Sequence, residues 1–398
     1  MCSEISKDIL PEPPEELKCL SAELSDRIHK KIDQEGPISF SQYMEMALYE
    51  PGLGYYSAGL QKFGEGGDFV TAPQLGNVFA RCLAKQVEQV AAGLDQYDIV
   101  EAGAGSGILA ADLLLALGDT HPPAAYRILE RSAHLRQVQK ETLQRLVPAW
   151  MDRITWLDEP PEQDWQGVFL ANEVLDALTV ERFCMGTDGP QRMQVAAGPA
   201  GFEWRKGPCP EKLRIQIQAL LDGLDHDPAP GYCSEINASL PDWLHAVTTG
   251  LQKGLALFID YGYTRRDYYL PQRSDGTLIC HYQHRAHNDP FKWPGLTDIS
   301  ASVDFTALAE SADHCGLEVN GYTTQAMFLM ASGLDDVLTG LESLPDKERI
   351  AMNSQVLRLT LPGEMGERFQ MMALSRGLDE EVSEDLIGFS LTDLCHRL

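Results

Sequence analysis

The sequence has few basic residues and no long apolar run. Its 398 residues include 32 Lys and Arg against 59 Asp and Glu, which gives a formal net charge of −27. A duplex or an anionic bilayer would repel such a chain, so we expect neither nucleic acid nor a membrane surface as a partner. No run of about 18 uncharged apolar residues occurs, so no transmembrane helix is expected either.

The sequence also lacks paired cysteine motifs and targeting signals. Its nine cysteines are spread out without a Cys-x-x-Cys pair, which favours reduced, mostly buried thiols over a disulfide framework or a structural zinc site. The segment from Met1 to Asp8 has neither the basic end and apolar stretch of a secretion signal nor the Arg-rich character of a transit peptide. We therefore expect a cytoplasmic protein.

A hydrophobic fraction of 44% is enough for a buried core. From residue 98, short apolar strands alternate with amphipathic helices, which predicts a parallel sheet with helices on its faces. The predicted strands are Ile99–Ala102, Tyr126–Glu130, Arg153–Trp156, Val168–Asn172 and Leu255–Asp260. Two later apolar runs, Leu317–Thr324 and Phe369–Ser375, are expected to close the sheet as an antiparallel pair.

The spacing of these strands predicts insertions. Roughly eighty residues separate the last two parallel strands, whereas one crossover needs about 10–30. We expect the first 35 residues to be a weakly helical, mobile arm. The predicted organisation is an N-terminal helical segment with a covering loop (1–95), a core (96–182 and 251–378), an inserted lobe (183–250), a site-covering insertion (263–302) and a solvated acidic tail (379–398).

The sharpest local signal is a glycine turn between a predicted strand and a predicted helix, Glu101-x-Gly103-x-Gly105-x-Gly107. Small residues are needed where a ligand crosses the end of a sheet, although an ordinary strand–helix connection can also carry glycines. A dinucleotide fingerprint requires a glycine where Ile108 stands. The pattern instead resembles that of class I methyltransferases, which bind S-adenosyl-L-methionine.

Two acids accompany this turn. Glu130 ends the second predicted strand, where a carboxylate can accept both hydroxyls of a ribose; a plain surface residue is the alternative. Glu101 offers negative charge near the amino group or sulfonium of S-adenosyl-L-methionine, or else caps the following helix. This cofactor suits the turn because it has no pyrophosphate.

A second polar group follows the predicted strand Val168–Asn172. Asn172 can offer its amide carbonyl to a methyl acceptor or to the methionine end of the cofactor. Glu173 and Asp176 could clamp a guanidinium and accept its proton after transfer. A helix N-terminus that carries acids is the alternative for Asp176.

Over most of its length, from Pro37 to about Gly377, the chain resembles the MidA-like methyltransferases, a family that includes a mitochondrial complex I assembly factor that methylates a protein arginine. The motifs that carry the resemblance are Tyr43-Met44 with Tyr55-Tyr56-Ser57, Phe63-Gly64-x-x-Gly67-Asp68-Phe69-x-Thr71-x-Pro73, the glycine turn, Asn172-Glu173-x-x-Asp176-Ala177, Ile259-Asp260-Tyr261-Gly262, and Gly276-Thr277-Leu278 with Asp298-Ile299-Ser300-x-x-Val303-Asp304-Phe305.

The resemblance implies an α/β fold, a seven-stranded, Rossmann-like class I methyltransferase sheet with an N-terminal helical segment and an inserted lobe. It implies S-adenosyl-L-methionine as the cofactor, held also by Gly67 and Asp68, and protein arginine as the acceptor. An Asx turn is the alternative for Asp68. Family members commonly carry Leu or Ile where Ala102 stands. They also carry Glu where Gln74 stands, so the covering loop of this chain lacks one acid.

Three histidines spaced by three, His281, His284 and His287, resemble a metal site, but their surroundings predict an irregular lid and we expect no metal. His284 is the histidine expected to take a proton or to contact the substrate.

Two rival functions remain: a nicotinamide oxidoreductase, which position 108 disfavours, and a non-catalytic assembly factor that binds S-adenosyl-L-methionine. The expected partner is a protein with an accessible arginine, and subunits of a respiratory NADH dehydrogenase are candidates by resemblance alone. A homodimer is left open.

Overall fold

The computed structural model describes residues 10–59, 72–119, 121–199, 201–339 and 345–398. The helices in these ranges are α1 (Glu15–Glu35), α2 (Phe40–Tyr49), α3 (Ala72–Leu75), α4 (Val78–Ala91), α5 (Ile108–Leu117), α6 (Ala133–Leu146), α7 (Glu211–Asp222), α8 (Leu240–Thr248), α9 (Arg265–Tyr268), α10 (Phe305–His314), α11 (Gln325–Ala331), α12 (Leu334–Leu338), α13 (Asp346–Thr360) and α14 (Glu380–Glu384).

The strands in the same ranges are β1 (Ile38–Ser39), β2 (Asp98–Ala102), β3 (Ala125–Leu129), β4 (Ile154–Leu157), β5 (Trp165–Asn172), β6 (Glu181–Gly186), β7 (Gly189–Gly198), β8 (Gly201–Gly207), β9 (Cys233–Ile236), β10 (Leu251–Tyr263), β11 (Ile279–Tyr282), β12 (Arg285–His287), β13 (Asp298–Ser300), β14 (Val303–Asp304), β15 (Glu318–Thr324) and β16 (Phe369–Arg376).

The described residues form two compact units. The first unit comprises those of Met1–Phe69, Asp176–Leu240 and Arg265–Ser302, and the second comprises those of Val70–Leu175, Pro241–Thr264 and Val303–Leu398. Residues 183–240 of the predicted lobe therefore belong to the first unit, together with parts of 1–95 and 263–302, while residues 241–250 belong to the second unit.

The second unit is built on one sheet. Its strands lie in the order β15-β16-β10-β5-β2-β3-β4, and β14 pairs with β10 in addition. Strands β2, β3, β4, β5 and β10 run parallel to their neighbours within this group, while β16 is antiparallel to both β10 and β15. The predicted parallel strands and the predicted antiparallel closing pair are thus confirmed.

The register of this sheet brings the polar residues of the strand ends to one edge. Ala102 is paired with both Leu129 and Ala171, and Asn172 is paired with Ile259. Because β2 lies between β5 and β3, the chain leaves β2 at the point where the strand order reverses, which is where α/β sheets bind ligands.

Apolar residues on the helices explain the layers of the second unit. Helix α4 buries Phe79, Leu83, Val87 and Val90, at the spacing of one helical face, and α5 is buried along most of its length. These side chains join those of the sheet in one core cluster.

The C-terminal segment 379–398 contributes to that core. Leu386 and Phe389 are 2% and 5% exposed, and they lie in the same cluster as the sheet residues. The acids at Asp379 to Asp385 are mostly exposed as expected. The prediction of a solvated tail failed beyond them, because it weighed their charge and not the apolar residues that follow.

The first unit contains a five-stranded sheet of β1 and β6 to β9 and a three-stranded sheet of β11 to β13. Helix α1 contradicts the predicted mobile arm. It is ordered over 21 residues and buries Leu24, Ile28 and Ile32, which follow one another at the i, i+4, i+8 spacing of a helix face that packs on a core.

A disulfide in the first unit corrects the expectation of reduced thiols. Cys184 and Cys233 are direct partners on the antiparallel strands β6 and β9, with their Cα atoms 4.0 Å apart, and they form a disulfide. Forty-nine residues separate them in sequence, so the pairing follows from strand register and not from a local motif.

None of the helices within the described residues is both long enough and apolar enough to span a bilayer.

Candidate functional site

The glycine turn joins β2 to α5 in the second unit. Gly103, Gly105 and Gly107 have φ angles of 61°, 53° and 79°, in the region that favours glycine. A Cβ on Gly103 would lie 3.0 Å from Val174 Cγ2, and one on Gly107 would lie 3.2 Å from Gln139 Cα. The backbone conformation therefore favours glycine at all three positions, and the space around Gly103 and Gly107 is also tight for a side chain.

Glu101 lies at the end of β2, just before this turn. Its side chain is buried, with 2% of the residue exposed, and its Oε2 accepts a hydrogen bond of 2.8 Å from the Tyr126 hydroxyl. Burial, and to a smaller extent the charge of Glu130, raise the pKa of Glu101 to about 7, while this hydrogen bond acts in the opposite direction.

Glu130 follows the end of β3 and is also buried. Its Oε1 accepts a bond of 2.9 Å from the Ser132 amide, and its Oε2 accepts one of 3.0 Å from Gln139 Nε2. Burial raises the pKa of Glu130 despite these bonds and the positive charge of Arg136.

Gln139 is a site residue that the sequence analysis missed. Besides Glu130, its Nε2 reaches the Gly105 carbonyl oxygen at 3.1 Å, and its Oε1 accepts a bond of 2.9 Å from Trp156 Nε1. It is fully buried on the face of α6 that also buries Leu135 and Leu143. A polar residue at helical spacing among buried apolar positions is the sequence signal that could have found it.

Asn172 and Glu173 lie where β5 ends. Glu173 has a φ of 54°, which a residue with a side chain rarely adopts. Its amide donates to the Ile259 carbonyl oxygen at 2.8 Å, and its Oε1 accepts a bond of 3.2 Å from Asn172 Nδ2. Burial raises the pKa of Glu173 to about 7 against hydrogen bonds from Asn172 and from the Ala72 amide.

Asn172 keeps one unused acceptor. Its Oδ1 is buried and receives no hydrogen bond from any residue that the structure describes. A buried amide oxygen without a donor is costly, so this atom is suited to a donor that a ligand supplies.

Asp260 shapes the turn that carries these residues. It is fully buried in β10, and its carboxylate accepts bonds of 2.9 Å each from the amides of Leu175 and Tyr261. The observed contacts make Asp260 a support for the backbone that follows Glu173.

Two of the remaining predicted site residues belong to the first unit, and two lie outside the described residues. Asp176 belongs to the first unit, where its carbonyl oxygen accepts a bond of 3.2 Å from the Ala301 amide. His284 also belongs to the first unit, is exposed, and occupies the turn between β11 and β12 with a φ of 61°. Gly67 and Asp68 lie outside the described residues.

No group of three or more His, Cys, Asp or Glu side chains arranged to hold a metal ion occurs within the described residues.

The arrangement in the second unit fits S-adenosyl-L-methionine. The turn has three glycines with positive φ angles, two buried carboxylates flank it, and the buried Oδ1 of Asn172 has no donor among the described residues. A cationic nucleoside ligand needs such carboxylates and acceptors, and the turn requires no pyrophosphate. The fold and the site thus define an α/β methyltransferase of the class that uses this cofactor.

Comparison with known families assigns the chain within that class. Residues 78–323 match the family described as "Putative S-adenosyl-L-methionine-dependent methyltransferase". The match covers more than half of the chain, and the chain belongs to this family. Its cofactor is S-adenosyl-L-methionine, and its activity is methyl transfer.

Individual relatives agree with this assignment. The mouse protein arginine methyltransferase NDUFAF7 is 30% identical over 86% of this chain and 82% of its own length. Its zebrafish counterpart is 28% identical over 89% of this chain and 88% of its own length. Both relatives are named as mitochondrial.

Among solved structures, a Burkholderia thailandensis protein described as a "likely methyl transferase" and bound to S-adenosyl-homocysteine is 39% identical, with a TM-score of 0.90. The match covers 98% of this chain and 100% of that one. A native structure from the same organism has a TM-score of 0.88 at 38% identity, with the same coverage of both chains.

Proposed function

We propose that this chain transfers the methyl group of S-adenosyl-L-methionine to an arginine side chain of a partner protein, and that Glu173 takes up the proton which the attacking nitrogen loses. The observation that carries the proposal is the carboxyl group of Glu173 at the end of β5, which is partly buried and has its pKa raised to about 7. Support for arginine also comes from the relatives, which are named protein arginine methyltransferases.

Methyl transfer to arginine requires a group that accepts a proton, and this is the role proposed for Glu173. When bound, S-adenosyl-L-methionine supplies a methyl group activated on a sulfonium. A guanidinium loses its proton in water only above about pH 12, so the protein must accept one proton as the nitrogen–carbon bond forms and the carbon–sulfur bond breaks. A carboxyl group with a pKa near neutrality is partly ionised at pH 7 and can serve as this base.

The other predicted residues complete the proposal. Asn172 Oδ1 accepts an N–H of the acceptor or of the cofactor, because it is buried without a described donor. Gly103, Gly105, Gly107, Glu101 and Glu130 hold the cofactor. Roles for Asp176, His284, Gly67 and Asp68 stay predictions.

The identity of the partner is also part of the proposal. A protein with an accessible arginine fits a chain with a net charge of −27, since an acidic surface attracts a cationic segment. Subunits of a respiratory NADH dehydrogenase are the first candidates by resemblance. The cytoplasmic location expected for this chain stays a prediction, because the mitochondrial location is stated for the relatives.

The test is methyl transfer to a proteome lacking this protein. The purified full chain is incubated with the extract and with S-adenosyl-L-methionine bearing a deuterated methyl group, and labelled residues are identified by mass spectrometry. We expect labelled arginine, and we expect Glu173→Gln to lose about 100-fold or more of the transfer rate while it binds the cofactor within about twofold of the original chain.

The matched control is Glu318→Gln, an exposed acid on β15 of the same unit, which should retain the rate. Label on a residue type other than arginine would contradict the proposed acceptor. Cofactor binding without transfer to any protein would favour the non-catalytic assembly factor instead.

A further inference from the structure

The surroundings of Glu101 are unusual for a buried acid. The residue is 2% exposed, and among the residues that the structure describes no Lys, Arg or His forms an ion pair with it. The other ionisable groups that act on it are Tyr126, which donates a hydrogen bond, and Glu130, which is a second acid. A buried carboxylate without a cation is costly, and it stays ionised only when hydrogen bonds or a positive ligand compensate.

Tyr126 supplies the hydrogen bond from a fixed position. It lies on β3, directly beside β2, where Tyr126 is the register partner of Ile99 and Ile128 is the partner of Glu101. Its side chain is fully buried in the core cluster of the second unit. The hydroxyl can therefore neither turn to solvent nor move far from Glu101 Oε2, at 2.8 Å.

We propose that Tyr126 is a positioning residue that keeps the carboxylate of Glu101 available in its ionised form beside the glycine turn, so that the site binds the cationic cofactor with release of a proton and holds the neutral thioether product less tightly. The inference depends on cofactor binding and not on the acceptor, so its failure would leave the proposed arginine methylation untouched.

The proton balance follows from the charges. In the chain without ligand, Glu101 has a pKa of about 7 and is protonated in about half of the molecules at pH 7. A sulfonium ligand favours the ionised form, and the proton leaves to the buffer. Once the methyl group has been transferred, the sulfur carries no charge, and Glu101 can take a proton from solvent again.

Calorimetric titration of the full chain can measure this proton directly. S-adenosyl-L-methionine and S-adenosyl-homocysteine are titrated at pH 6, 7 and 8 in buffers that differ in ionisation enthalpy. For the original chain at pH 7 we expect release of about half a proton with S-adenosyl-L-methionine, less with S-adenosyl-homocysteine, and an affinity for the former that rises from pH 6 to pH 8.

Tyr126→Phe removes the hydroxyl and keeps the ring. Loss of the hydrogen bond raises the pKa of Glu101 further, so we expect the affinity for S-adenosyl-L-methionine at pH 7 to fall about tenfold, with more proton release and with partial recovery at pH 8. The affinity for S-adenosyl-homocysteine should stay within about twofold.

The matched control is Tyr97→Phe. Tyr97 is equally buried in the same unit, and its hydroxyl donates to the His121 carbonyl oxygen at 2.9 Å. Tyr97→Phe removes a hydrogen bond that does not involve Glu101 or Glu130. The affinities for S-adenosyl-L-methionine and S-adenosyl-homocysteine and the proton release should therefore be unchanged.

Two results would overturn the proposal. One is an equal loss of affinity for both ligands at every pH in Tyr126→Phe. The other is undiminished proton release in Glu101→Gln, which also decides the matter if Tyr126→Phe does not fold.

Discussion

Glu173 combines backbone strain with burial of a carboxyl group. A non-glycine residue with a φ of 54° costs about 1–3 kcal/mol and persists where its surroundings determine it. Its amide donates to the Ile259 carbonyl oxygen, and the Leu175 amide donates to the Asp260 carboxylate, and these two hydrogen bonds hold this turn. Strain maintained in this way next to a buried acceptor is characteristic of a residue placed for chemistry.

Burial of Glu173 predicts a specific dependence of stability on pH. Its pKa rises from the ordinary 4.5 to about 7, so the folded chain binds more protons than the unfolded chain between these values. The stabilisation by the protonated group is complete below about pH 4.5 and is lost as the pH rises through 7. Glu173→Gln removes this loss, so its free energy of unfolding should increase relative to the original chain by up to about 3 kcal/mol between pH 5 and pH 8.

Urea unfolding of the chain without cofactor at several pH values measures that difference. Glu318→Gln should show no such trend. A difference between Glu173→Gln and the original chain that does not vary with pH would show that Glu173 titrates normally.

The sequence identified part of this site for a physical reason. Glu101, Glu130, Asn172 and Glu173 lie at or next to strand ends, and strand ends can be read from hydrophobic pattern. Tyr126 and Gln139 contact the site through strand register and helix packing, which bring together residues distant in sequence. No local pattern encodes those contacts, and Gln139 left only the weak signal of a polar residue on a buried face.

At the scale of elements, paired strands produced the main correction. Cys184 and Cys233 are opposed on β6 and β9, and their pairing depends on how 49 residues fold back. The five parallel strands were predictable because each contains a short apolar run. Helix α1 was underestimated because its buried positions lie among many charges.

The disulfide predicts how many cysteines react with an alkylating reagent and how much stability the chain loses when both bonded cysteines are replaced. Alkylation of the denatured, unreduced chain should label seven of the nine cysteines. Closing a loop of this length stabilises a fold by about 4 kcal/mol in the chain-entropy estimate, so replacing both Cys184 and Cys233 by Ser should lower the free energy of unfolding by about 2–4 kcal/mol. Denaturant unfolding checks this, with Cys19→Ser, an exposed free thiol, as control.

Nine labelled thiols in the unreduced chain would refute the disulfide, as would an unchanged midpoint of unfolding in the double variant.

At the scale of the molecule, the glycine turn and the two buried acids beside it lie on the second unit, while the first unit has two sheets of its own. The hydrophobic pattern predicted the sheet of the second unit closely. It could not predict how 1–95, 183–250 and 263–302 would be grouped, because segments so far apart associate through long-range packing alone. The net charge of −27 implies that binding of a cationic partner weakens with salt.

The central claim is that the glycine turn receives S-adenosyl-L-methionine. Titration of the full chain with this cofactor and with NAD, using Gly105→Ala beside Gly118→Ala, tests it most directly. Both glycines have positive φ angles, but only Gly105 belongs to the turn, while Gly118 follows the other end of α5. The account predicts that S-adenosyl-L-methionine binds, that NAD does not, and that Gly105→Ala alone loses about tenfold or more in affinity. Binding of NAD, or equal behaviour of the two variants, would contradict it.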